Sequence, residues 1–466
     1  MKGLNARLVP VSVMNSIKRL DADYAAHPMA SYLDQLVKRP EVHPLSELIS
    51  HISSGHTPYK HNVTQGDVAF ATVECVSPLR FHEDKLKRVT KDQYASEFSR
   101  QRITKGSVLC TIKRRICQAY PWTEAPRFPL AINQDVALLK PRQGVNSAYL
   151  ACYLSSRVGQ SFADRQKTEQ INPYISLVNL KTMPVFLPSN GFQKRVEAAF
   201  NRIAKMDATA HSNGSSAADL LLSHLGLEGW VPPNPLTYSA NSKVAFASGR
   251  LDAQYFRPLY FEVEERLRAT GAARELGSLL STNARGRQPR YADQGLPVVN
   301  SKHVRANRVI LSGNRTATEK GSPVVIKNGD VLVNGTGEGT IGRAAPYLHG
   351  QRALPDNHVT VLRTDAVDPV YLAVFLNSPL GQWQIERHIK GSSGQVELYP
   401  NDIARIMIWD APDEVQQSVR DAILSAFDEE RRANDLLEAA KRAVEIAIED
   451  GEAAAIAFLD KAEEAI

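Results

Sequence analysis

The stretch that most resembles a cofactor-binding motif is the glycine-rich segment Gly337-Glu-Gly-Thr-Ile-Gly, which follows the apolar run 331–333. It fits the G-x-G-x-x-G pattern of dinucleotide-binding folds, in which a helix begins at the glycines and its N-terminal amides meet the pyrophosphate. Here Pro346 follows within a few residues and favours a strand over a helix. We therefore predict a hairpin, whose glycines allow the backbone to approach another molecule closely, and no bound cofactor.

Two other catalytic signatures are incomplete. Gly337 and Gly342 have the spacing of a phosphate-binding loop, but Arg343 and the alanine after it stand where Lys and Ser or Thr would hold phosphate and magnesium. Asp356 and Asp402 are isolated acids, and neither has the Glu-x-Lys partner of a nuclease site. The sequence therefore shows neither a nucleotide-hydrolysis site nor a nuclease site.

Metal chemistry and methyl transfer are equally unsupported. Asn172-Pro-Tyr matches only part of the Asn-Pro-Pro-aromatic pocket of amino-methyltransferases. The 12 His residues show no metal-ligand spacing, and six residues separate Cys110 from Cys117, where a zinc knuckle has about two to four. We expect all four cysteines, which include Cys75 and Cys152, to be reduced thiols that are buried or half-buried. The sequence therefore shows no catalytic constellation, and no metal or cofactor is predicted in the chain.

Positive charge is concentrated in two stretches of the chain. Residues 80–115 contain 11 basic and 4 acidic residues, and residues 285–343 contain 10 and 4. The overall net charge of +6 conceals a net charge of +15 in residues 1–410, because residues 411–466 contain 15 acidic and 6 basic residues. Arg and Lys pair with guanine edges and Asn with adenine, so such stretches indicate nucleic-acid binding. The candidate DNA-contacting residues are Lys113, Arg114, Arg115, Arg285, Arg287, Arg290, Asn300, Lys302, Arg305 and Arg343.

An internal duplication organises the chain. Arg19-Leu-Asp-Ala-Asp-Tyr and Arg250-Leu-Asp-Ala-Gln-Tyr agree in five of six positions at an offset of 231. In the same order along the chain, Tyr149-Leu-Ala-Cys-Tyr-Leu-Ser-Ser matches Tyr371-Leu-Ala-Val-Phe-Leu-Asn-Ser at an offset of 222. The basic stretches fall in the same part of each copy, which favours nucleic-acid binding over a merely solvated basic face. Further pairs, at an offset of 223, are Asn133 with Asp356 and Gln193 with Gln416.

The pattern within each copy predicts a mixed α+β fold. Short helices are predicted at 29–37 and 261–267, where apolar residues recur at spacings of three and four. Short apolar runs between Pro-bearing turns predict strands, followed by one helix near the end of each copy, 148–160 and 370–387. The strands predicted to correspond are 68–73 with 296–299, 107–112 with 330–333, and 136–139 with 359–362.

Each copy ends in a long helical pattern, 192–225 in the first and 415–447 in the second. Apolar residues keep a three-four spacing in both, although Ser212-Asn-Gly-Ser is a weak point in the first. At 1.5 Å per residue, about 33 residues form a rod of roughly 50 Å. We predict that the two helices pair as an antiparallel coiled coil between the globular parts; packing of each helix on its own domain is the alternative. The predicted seam residues are Val196, Phe200, Ile203, Leu220, Val419, Ala426, Leu436 and Val444.

Length and composition fit a soluble protein of two or three domains, with 466 residues, 43% hydrophobic and 23% charged. No apolar run approaches the roughly 18 residues of a membrane span, and Leu8-Val-Pro-Val-Ser-Val-Met is too short for a signal peptide, so a cytoplasmic location is expected. The predicted divisions are a first globular part with a basic, extended lead-in (1–190), a helix and Pro-rich linker (191–249), a second globular part (250–410), and a helix with an acidic tail (411–466).

Two doubled motifs identify a family. Lys327-Asn-Gly-Asp-Val-Leu-Val followed by Gly339-Thr-Ile-Gly-Arg has a weaker copy in Lys105-Gly-Ser-Val-Leu-Cys. Tyr174-Ile-Ser-Leu-Val-Asn-Leu-Lys-Thr-Met-Pro and Leu398-Tyr-Pro-Asn-Asp-Ile occupy equivalent places before the long helices. With the duplication and the helices, these motifs resemble the specificity subunit of type I restriction–modification systems over essentially the whole chain. The first motif is similar to the glycine hairpin of that family's target recognition domains.

The resemblance implies a non-catalytic DNA-recognition subunit with two target recognition domains. Each domain would read one half of a split site in double-stranded DNA, and the antiparallel helices would set the gap between the halves. Methyltransferase subunits, expected to be two, would dock on the helices and methylate adenine with S-adenosylmethionine. A separate restriction and translocase subunit would cut the DNA, so that ATP and magnesium belong to partners. The basic parts would lie on phosphate, and the acidic tail would face protein.

One departure and two alternatives accompany this resemblance. The first copy has Lys113-Arg-Arg in place of the glycine-rich hairpin, so the two domains would contact DNA differently. A stand-alone DNA methyltransferase or nuclease with an unfamiliar active site is one alternative, and methylation or cleavage by the purified chain alone would favour it. A scaffold whose domains bind protein is the other, and it predicts no retention on DNA at low salt.

Overall fold

The chain folds into two compact units. Unit 1 consists of Met1–Ala208 and Glu430–Ile466, and unit 2 of Thr209–Glu429. The predicted lead-in at 1–20, the first five residues of the first hexapeptide and residues 99–101 of the first basic stretch lie outside the described residues. The computed structural model describes Tyr24 and residues 27–58, 66–98, 102–168, 172–391 and 396–466.

Unit 1 is built on a four-stranded antiparallel sheet with the strand order β2-β10-β7-β8. A three-stranded sheet, β6-β3-β9, and the strand pairs β1-β11 and β4-β5 complete its described β-structure. The strands are β1 (Val42–Pro44), β2 (Ile49–Ser54), β3 (Val68–Ala71), β4 (Val76–Ser77), β5 (Arg80–Phe81), β6 (Lys87–Val89), β7 (Val108–Thr111), β8 (Ala119–Pro121), β9 (Leu130–Ile132), β10 (Val136–Pro141) and β11 (Pro184–Phe186).

Unit 2 repeats this topology strand for strand. Its sheets have the orders β13-β21-β18-β19 and β17-β14-β20, with the pairs β12-β22 and β15-β16, so the predicted duplication is confirmed at the level of the fold. The strands are β12 (Ala273–Glu275), β13 (Thr282–Arg285), β14 (Tyr291–Val299), β15 (Val304–Arg305), β16 (Arg308–Val309), β17 (Thr316–Ala317), β18 (Val331–Asn334), β19 (Ala344–Pro346), β20 (Leu354–Pro355), β21 (Val359–Arg363) and β22 (Met407–Trp409).

The central strands of the two four-stranded sheets are apolar on both faces. In β18, Val331 and Val333 pack into one hydrophobic core and Leu332 into another on the opposite face. In β7, Val108 and Leu109 divide between two cores in the same way. Because successive side chains of a strand point to opposite faces, a continuous apolar run is what a sheet covered on both sides requires.

The helices confirm the predicted α+β class. Within the described residues, none of them is long and apolar enough to cross a membrane. Helices α7 and α13 each contribute residues to both units. The helices are α1 (Ala30–Leu36), α2 (Leu45–Leu48), α3 (Lys91–Glu97), α4 (Ser147–Ser155), α5 (Arg157–Gln166), α6 (Leu177–Lys181), α7 (Asn190–His224), α8 (Ser242–Ser248), α9 (Pro258–Ala269), α10 (Pro369–Asn377), α11 (Pro379–His388), α12 (Pro400–Ile403), α13 (Asp413–Glu449) and α14 (Glu452–Glu464).

The prediction of a single helix near the end of each copy, at 148–160 and 370–387, is wrong. Each segment forms two helices, α4 and α5 or α10 and α11, which are separated at Ser156 and Ser378. Both serines have extended backbone angles and cap the second helix with their hydroxyls. At Gly159 a Cβ would lie 2.1 Å from a carbonyl oxygen of the preceding helix, so the sharp turn between the helices requires glycine.

A repeated glutamine links each long helix to its unit. The side-chain oxygen of Gln193 accepts a hydrogen bond from the backbone N–H of Asn146 (2.8 Å), and that of Gln416 accepts one from the N–H of Asp368 (2.8 Å). Asn146 and Asp368 in turn cap α4 and α10 with their own side chains. The correspondence of Gln193 with Gln416, predicted from the sequence, therefore extends to their hydrogen bonds.

The two long helices are antiparallel within unit 1. At one end, the N–H of Ser189, just before α7, donates to the carboxylate of Glu452, just after α13 (2.7 Å). Further along, Arg80 from β5 binds Asp207 of α7 through Nε (2.7 Å) and Asn434 of α13 through Nη1 (2.5 Å). The beginning of one helix thus lies beside the end of the other, and Arg80 holds both.

The predicted seam is buried. The segment Ser212-Asn-Gly-Ser does not interrupt α7, and in unit 2 the amide of Asn213 donates to the hydroxyl of Ser425 on α13 (3.1 Å). The helices pair and also complete the cores of their units, as Phe200 does against Tyr120 (ring centres 6.0 Å apart). Buried seam residues are Val196, Phe200, Ile203, Leu436 and Val444 in unit 1 and Val419 and Ala426 in unit 2, where Leu220 is partly buried.

The acidic tail folds back on unit 1 as α14. The guanidinium of Arg195 on α7 forms ion pairs with Asp460 (2.7 Å) and Glu463 (2.9 Å), and Arg202 pairs with Glu463 (3.2 Å). Part of the acidic surplus of residues 411–466 is therefore paired with arginines of the chain's own first long helix.

The repeated hexapeptide has a structural role in unit 2. Its last residue, Tyr255, covers one face of the Arg387 guanidinium at 4.5 Å, and Phe261 lies 4.2 Å from the same group. Nη1 of Arg387 also contacts Glu264 at 2.5 Å. The hexapeptide thus closes over a buried arginine of α11.

The same arrangement recurs in unit 1. Tyr24, the last residue of the first hexapeptide, lies 4.2 Å from the guanidinium of Arg165 on α5. Nη1 of Arg165 contacts Asp34 at 2.9 Å. The tyrosine that the two hexapeptides share therefore packs against an arginine that is paired with a carboxylate, in each unit.

Removing the carboxylate partner in unit 2 should strongly destabilise that unit. Glu264→Gln leaves the buried Arg387 charge uncompensated, and we expect a loss of about 3 kcal/mol, the low end for broken buried pairs because Glu264 is one-fifth exposed. In scanning calorimetry the midpoint of the unit 2 transition should fall by about 6–12 °C. Glu262→Gln on the same helix removes only a surface pair with Arg266 and should cost at most about 0.5 kcal/mol. Equal shifts for the two variants would contradict this role.

Candidate nucleic-acid interface

Four connections of unit 2 meet at one edge of its four-stranded sheet. The N–H of Asp356, before β21, donates to the carbonyl of Val299 at the end of β14 (3.0 Å), and the N–H of Gly335, after β18, donates to the carbonyl of His358 (2.7 Å). Gly286, after β13, lies so close that a Cβ would stand 2.2 Å from the Asp356 carbonyl oxygen. These four connections, at the ends of the strands, are the segments 285–287, 300–305, 335–343 and 356–358. We call the surface that they form the strand-end edge of unit 2.

Unit 1 has the same strand-end edge. The N–H of Asn133, before β10, donates to the carbonyl of Ala71 at the end of β3 (2.9 Å), and the N–H of Ile112, after β7, donates to the carbonyl of Asp135 (2.9 Å). A Cβ on Gly55 would lie 2.1 Å from the carbonyl oxygen of Asn133. The strand-end edge of unit 1 is formed by the segments 55–56, 72–73, 112–118 and 133–135.

Two features of these edges escaped sequence reasoning. Gly55 and Gly286 are required because neighbouring carbonyls leave no room for a side chain. The available signal was their position, since they are separated by the same 231 residues as the hexapeptides and each has Pro three residues later. The other feature is a side-chain turn at the matched residues Asn133 and Asp356, whose oxygens accept the N–H two residues on (3.2 Å and 2.9 Å).

Arg285, a predicted DNA-contacting residue, is fixed within the edge of unit 2. Its Nε donates to the carbonyl of Asn357 (2.6 Å), and Nη1 forms an ion pair with Glu397 (3.3 Å). The guanidinium also lies 5.7 Å from the ring centre of Tyr399, and only 18% of the side chain is exposed. Arg285 is therefore placed to organise the edge, with little surface left for DNA.

Three other predicted cations come together beside it. Lys302 and Arg305 are exposed after the end of β14. Arg343 is the last residue of the glycine-rich turn, directly before β19. Burial and, after it, the positive charge of Arg305 lower the pKa of Arg343, which places these two cations in each other's field. Lys302, Arg305 and Arg343 thus form a positively charged part of the strand-end edge.

Asn300 lies in the same connection, held by a buried histidine. The Nδ1 atom of His303 accepts from the N–H of Asn300 (3.2 Å), and burial, with the charges of Lys302 and Arg305, lowers the pKa of His303. Among the described residues, no hydrogen-bond donor meets the side-chain oxygen of Asn300. His303 thus shapes the turn that presents Lys302 and Arg305.

The other two predicted cations of unit 2, Arg287 and Arg290, lie at opposite ends of the connection between β13 and β14. Arg287 directly follows Gly286 and is exposed at the strand-end edge. Arg290 is also exposed, but its carbonyl accepts from the N–H of Thr318 beside β17 (3.1 Å), at the start of β14. The structure therefore groups Arg287 with the edge and places Arg290 at the opposite end of β14.

In unit 1 the predicted cations occupy the tip between β7 and β8. Nζ of Lys113 forms an ion pair with Asp135 (2.9 Å), and Nη2 of Arg115 donates to the carbonyl of Val73 (3.2 Å). Arg114 is exposed between them. All three lie at the strand-end edge of unit 1, so the edges of both units carry predicted cations.

The glycine-rich stretch of unit 2 forms a hairpin, as predicted, because it joins β18 to the strand β19. The corresponding connection in unit 1, between β7 and β8, contains Lys113-Arg-Arg. Cys117 and Gly342, just before the returning strands, both have left-handed backbone angles (φ 56° and 77°). The tips differ in charge: Arg114 is exposed in unit 1 and Glu338 in unit 2.

Two arginines of the basic stretches face the long helices instead of the strand-end edges. Arg80 on β5 binds Asp207 and Asn434, and Arg308 on the matching strand β16 lies 5.2 Å from the ring centre of Phe427 on α13. The small β-hairpin of each unit is thus attached to a long helix by an arginine. These two arginines add to the positive charge of the basic stretches, but their side chains contact the chain's own long helices.

The chemistry of the described residues gives no metal site. No group of three or more His, Cys, Asp or Glu within them is arranged to hold a metal ion. The four cysteines are buried free thiols, as predicted, and burial raises the pKa of Cys152 to about 12.

Comparison with known proteins gives similarity at the level of structure. No protein-family model matches the sequence, and no curated protein matches it significantly. Similar solved structures include the S subunit of a type I restriction–modification system from M. genitalium, with 11% identity, a TM-score of 0.39, and coverage of 90% of this chain and 95% of that chain. A chain from a study of complex assembly and conformational transition of the type I system has 13% identity and a TM-score of 0.30, and the match covers 90% of this chain and 96% of that chain. The HsdS subunit from Thermoanaerobacter tengcongensis has 14% identity and a TM-score of 0.26, and the match covers 91% of this chain and 97% of that chain.

Proposed function

We propose that this chain is the DNA sequence-recognition subunit of a type I restriction–modification complex. Each unit reads one half of a bipartite site in double-stranded DNA with its strand-end edge, and the paired helices α7 and α13 determine the number of base pairs between the halves. The chain itself is not catalytic. Methyltransferase subunits bring S-adenosylmethionine, and a restriction and translocase subunit brings the chemistry that needs ATP and magnesium.

The observation that carries this proposal is the duplicated strand-end edge. Two copies of one fold present exposed cations at the corresponding edge, on different connections: Arg114 and Arg115 in unit 1 and Arg287, Lys302 and Arg305 in unit 2. Exposed Arg and Lys contact phosphates and position a protein on DNA, and contacts to base edges then give specificity. Two copies of one binding edge in a single chain suit a site with two halves.

The long helices are better suited to protein than to DNA. On the exposed face of α13, acidic residues recur at seven-residue spacing, which is two helical turns, so they form a line along the helix. Such a line would repel phosphate, whereas it could bind a basic protein surface. This charge supports the docking of methyltransferase subunits on the helices. The acidic residues are Glu414, Asp421 and Asp428, all in unit 2.

The proposal is tested by letting the purified full chain select duplexes from a random pool at low salt and sequencing those retained. We expect a bipartite motif with two fixed half-sites and an unread gap. The Arg305→Gln variant in unit 2 should blur one half-site and leave the other unchanged, because each edge acts on its own half. A single continuous motif, or the loss of both halves in this variant, would contradict the proposal.

The alternatives give different results in the same preparation. Methylation or cleavage of the selected DNA by the chain alone, with S-adenosylmethionine, ATP and magnesium, would identify a stand-alone enzyme. Absence of any retained DNA at low salt would identify a protein-binding scaffold.

A further inference from the structure

The three consecutive cations at the tip of unit 1 have different surroundings. The ammonium of Lys113 is neutralised by Asp135 at 2.9 Å, and the guanidinium of Arg115 is partly used by the carbonyl of Val73 at 3.2 Å. Arg114, between them, has its side chain exposed at the strand-end edge. The sequence treats the three as equivalent, and the structure does not.

The backbone of Arg114 is in a conformation that arginine rarely adopts. Its φ is 63°, in the left-handed region that favours glycine. Its N–H donates to the carbonyl of Pro173 (3.0 Å), which holds the residue in this conformation. A strained backbone that carries an exposed cation is more easily explained by function than by folding.

The tip that carries Arg114 is anchored on both sides. The N–H of Ile112 donates to the carbonyl of Asp135 (2.9 Å), and the N–H of Cys117 donates to the last carbonyl of β7 (2.7 Å). The backbone of Arg114 is therefore already fixed before any ligand binds. Less conformational entropy is then lost when a ligand holds its side chain.

We propose that Arg114 reads a guanine in the half-site that unit 1 recognises, through two hydrogen bonds from its guanidinium to N7 and O6 in the major groove. This rests on the proposed function. Only the tip of the β7–β8 hairpin is exposed, so the arginine side chain itself would enter the major groove, where its planar fork matches the guanine edge. Arg115, whose guanidinium is only partly used by the Val73 carbonyl, is in place for a flanking phosphate. Unit 2 has the exposed acid Glu338 at its tip, so the two half-sites differ.

The experiment compares the full chain with its Arg114→Gly variant on the selected duplex and on duplexes in which each base pair of the unit 1 half-site is exchanged. Glycine accepts a φ of 63° without strain, so the variant should unfold at the same temperature or a higher one. We expect the preference for one G·C pair to fall by roughly 5- to 150-fold, the value of one bidentate contact. Affinity for the duplex that already lacks this pair should not change.

Two further variants complete the test. Arg114→Lys keeps the charge and loses the fork, so it should retain binding to unrelated DNA but lose most of the guanine preference. Arg127→Gly removes another exposed arginine of unit 1, in the connection from β8 to β9 at the opposite ends of these strands, and should change neither property.

The outcomes separate this inference from the proposed function. A uniform loss of affinity on all duplexes, with the slope of log affinity against log salt reduced by about 1, would make Arg114 a phosphate contact and overturn the inference alone. Unchanged preference in Arg114→Gly would also overturn it. If the native chain shows no sequence preference at all, the proposed function fails and the inference falls with it.

Discussion

Lengthening both long helices by four residues should widen the unread gap of the DNA site by about two base pairs and leave both half-sites unchanged. Four residues add about 6 Å to a helix, and each base pair adds about 3.4 Å to DNA. The insertion rotates the helix by about 400°, only about 40° beyond a full turn, so the apolar seam should be preserved. The insertions belong after Ala208 in α7 and after Glu429 in α13, where the chain passes from one unit to the other.

The effect is measured by sequencing methylated sites in the genomes of cells that carry the native or lengthened chain with its methyltransferase. A matched control places four residues in the exposed linker segment 235–237, outside both long helices, and should leave the gap unchanged. If the gap stayed constant in the lengthened chain while both half-sites were still read, the helices would not be what separates the two contacts.

Affinity for DNA should fall by about 1,000- to 100,000-fold between 50 and 200 mM salt. Binding through about 6–10 phosphate contacts releases as many counterions, and log affinity then falls with log salt at a slope of about −0.9 per contact. The exposed arginines and lysines of the two strand-end edges are the residue types that make such contacts. The measurement is a titration of a labelled duplex at several salt concentrations.

Single variants resolve the origin of this slope. Arg287→Gln and Lys302→Gln, each at the edge of unit 2, should each reduce it by about 0.9. Arg127→Gln, exposed in unit 1 away from the edge, is the control and should leave it unchanged. An affinity independent of salt, or an equal effect of all three variants, would argue against phosphate binding by the strand-end edges.

Much of the architecture was predictable because its signals are local or repeated. The three-four spacing of apolar residues predicted α7 and α13 to within two residues at each end, since a helix must bury one face whatever its partner. Short apolar runs at matched positions predicted the central strands β7 and β18. The duplication linked these elements, because a repeated order of motifs requires a repeated topology.

Other local features were missed because short-range competition decided them. The breaks at Ser156 and Ser378 are hidden within continuous apolar patterns, where a capping hydroxyl and a close backbone contact outweigh helix propensity. The acidic tail is a long-range case: it was predicted to face protein, and as α14 it pairs with Arg195 and Arg202, more than 250 positions earlier.

For this protein, the sequence by itself determined two copies of one α+β unit, a pair of long helices and a basic surplus in both copies. Only the tertiary structure decided which cations are available. Arg80 is engaged by Asp207 and Asn434, which are 127 and 354 positions away, and Arg285 by neighbours on other strands, whereas Arg114 is left exposed. Charge is a property of composition. Whether a cation can meet DNA depends on the carboxylates and carbonyls that folding places beside it, and these contacts have no signature in local sequence.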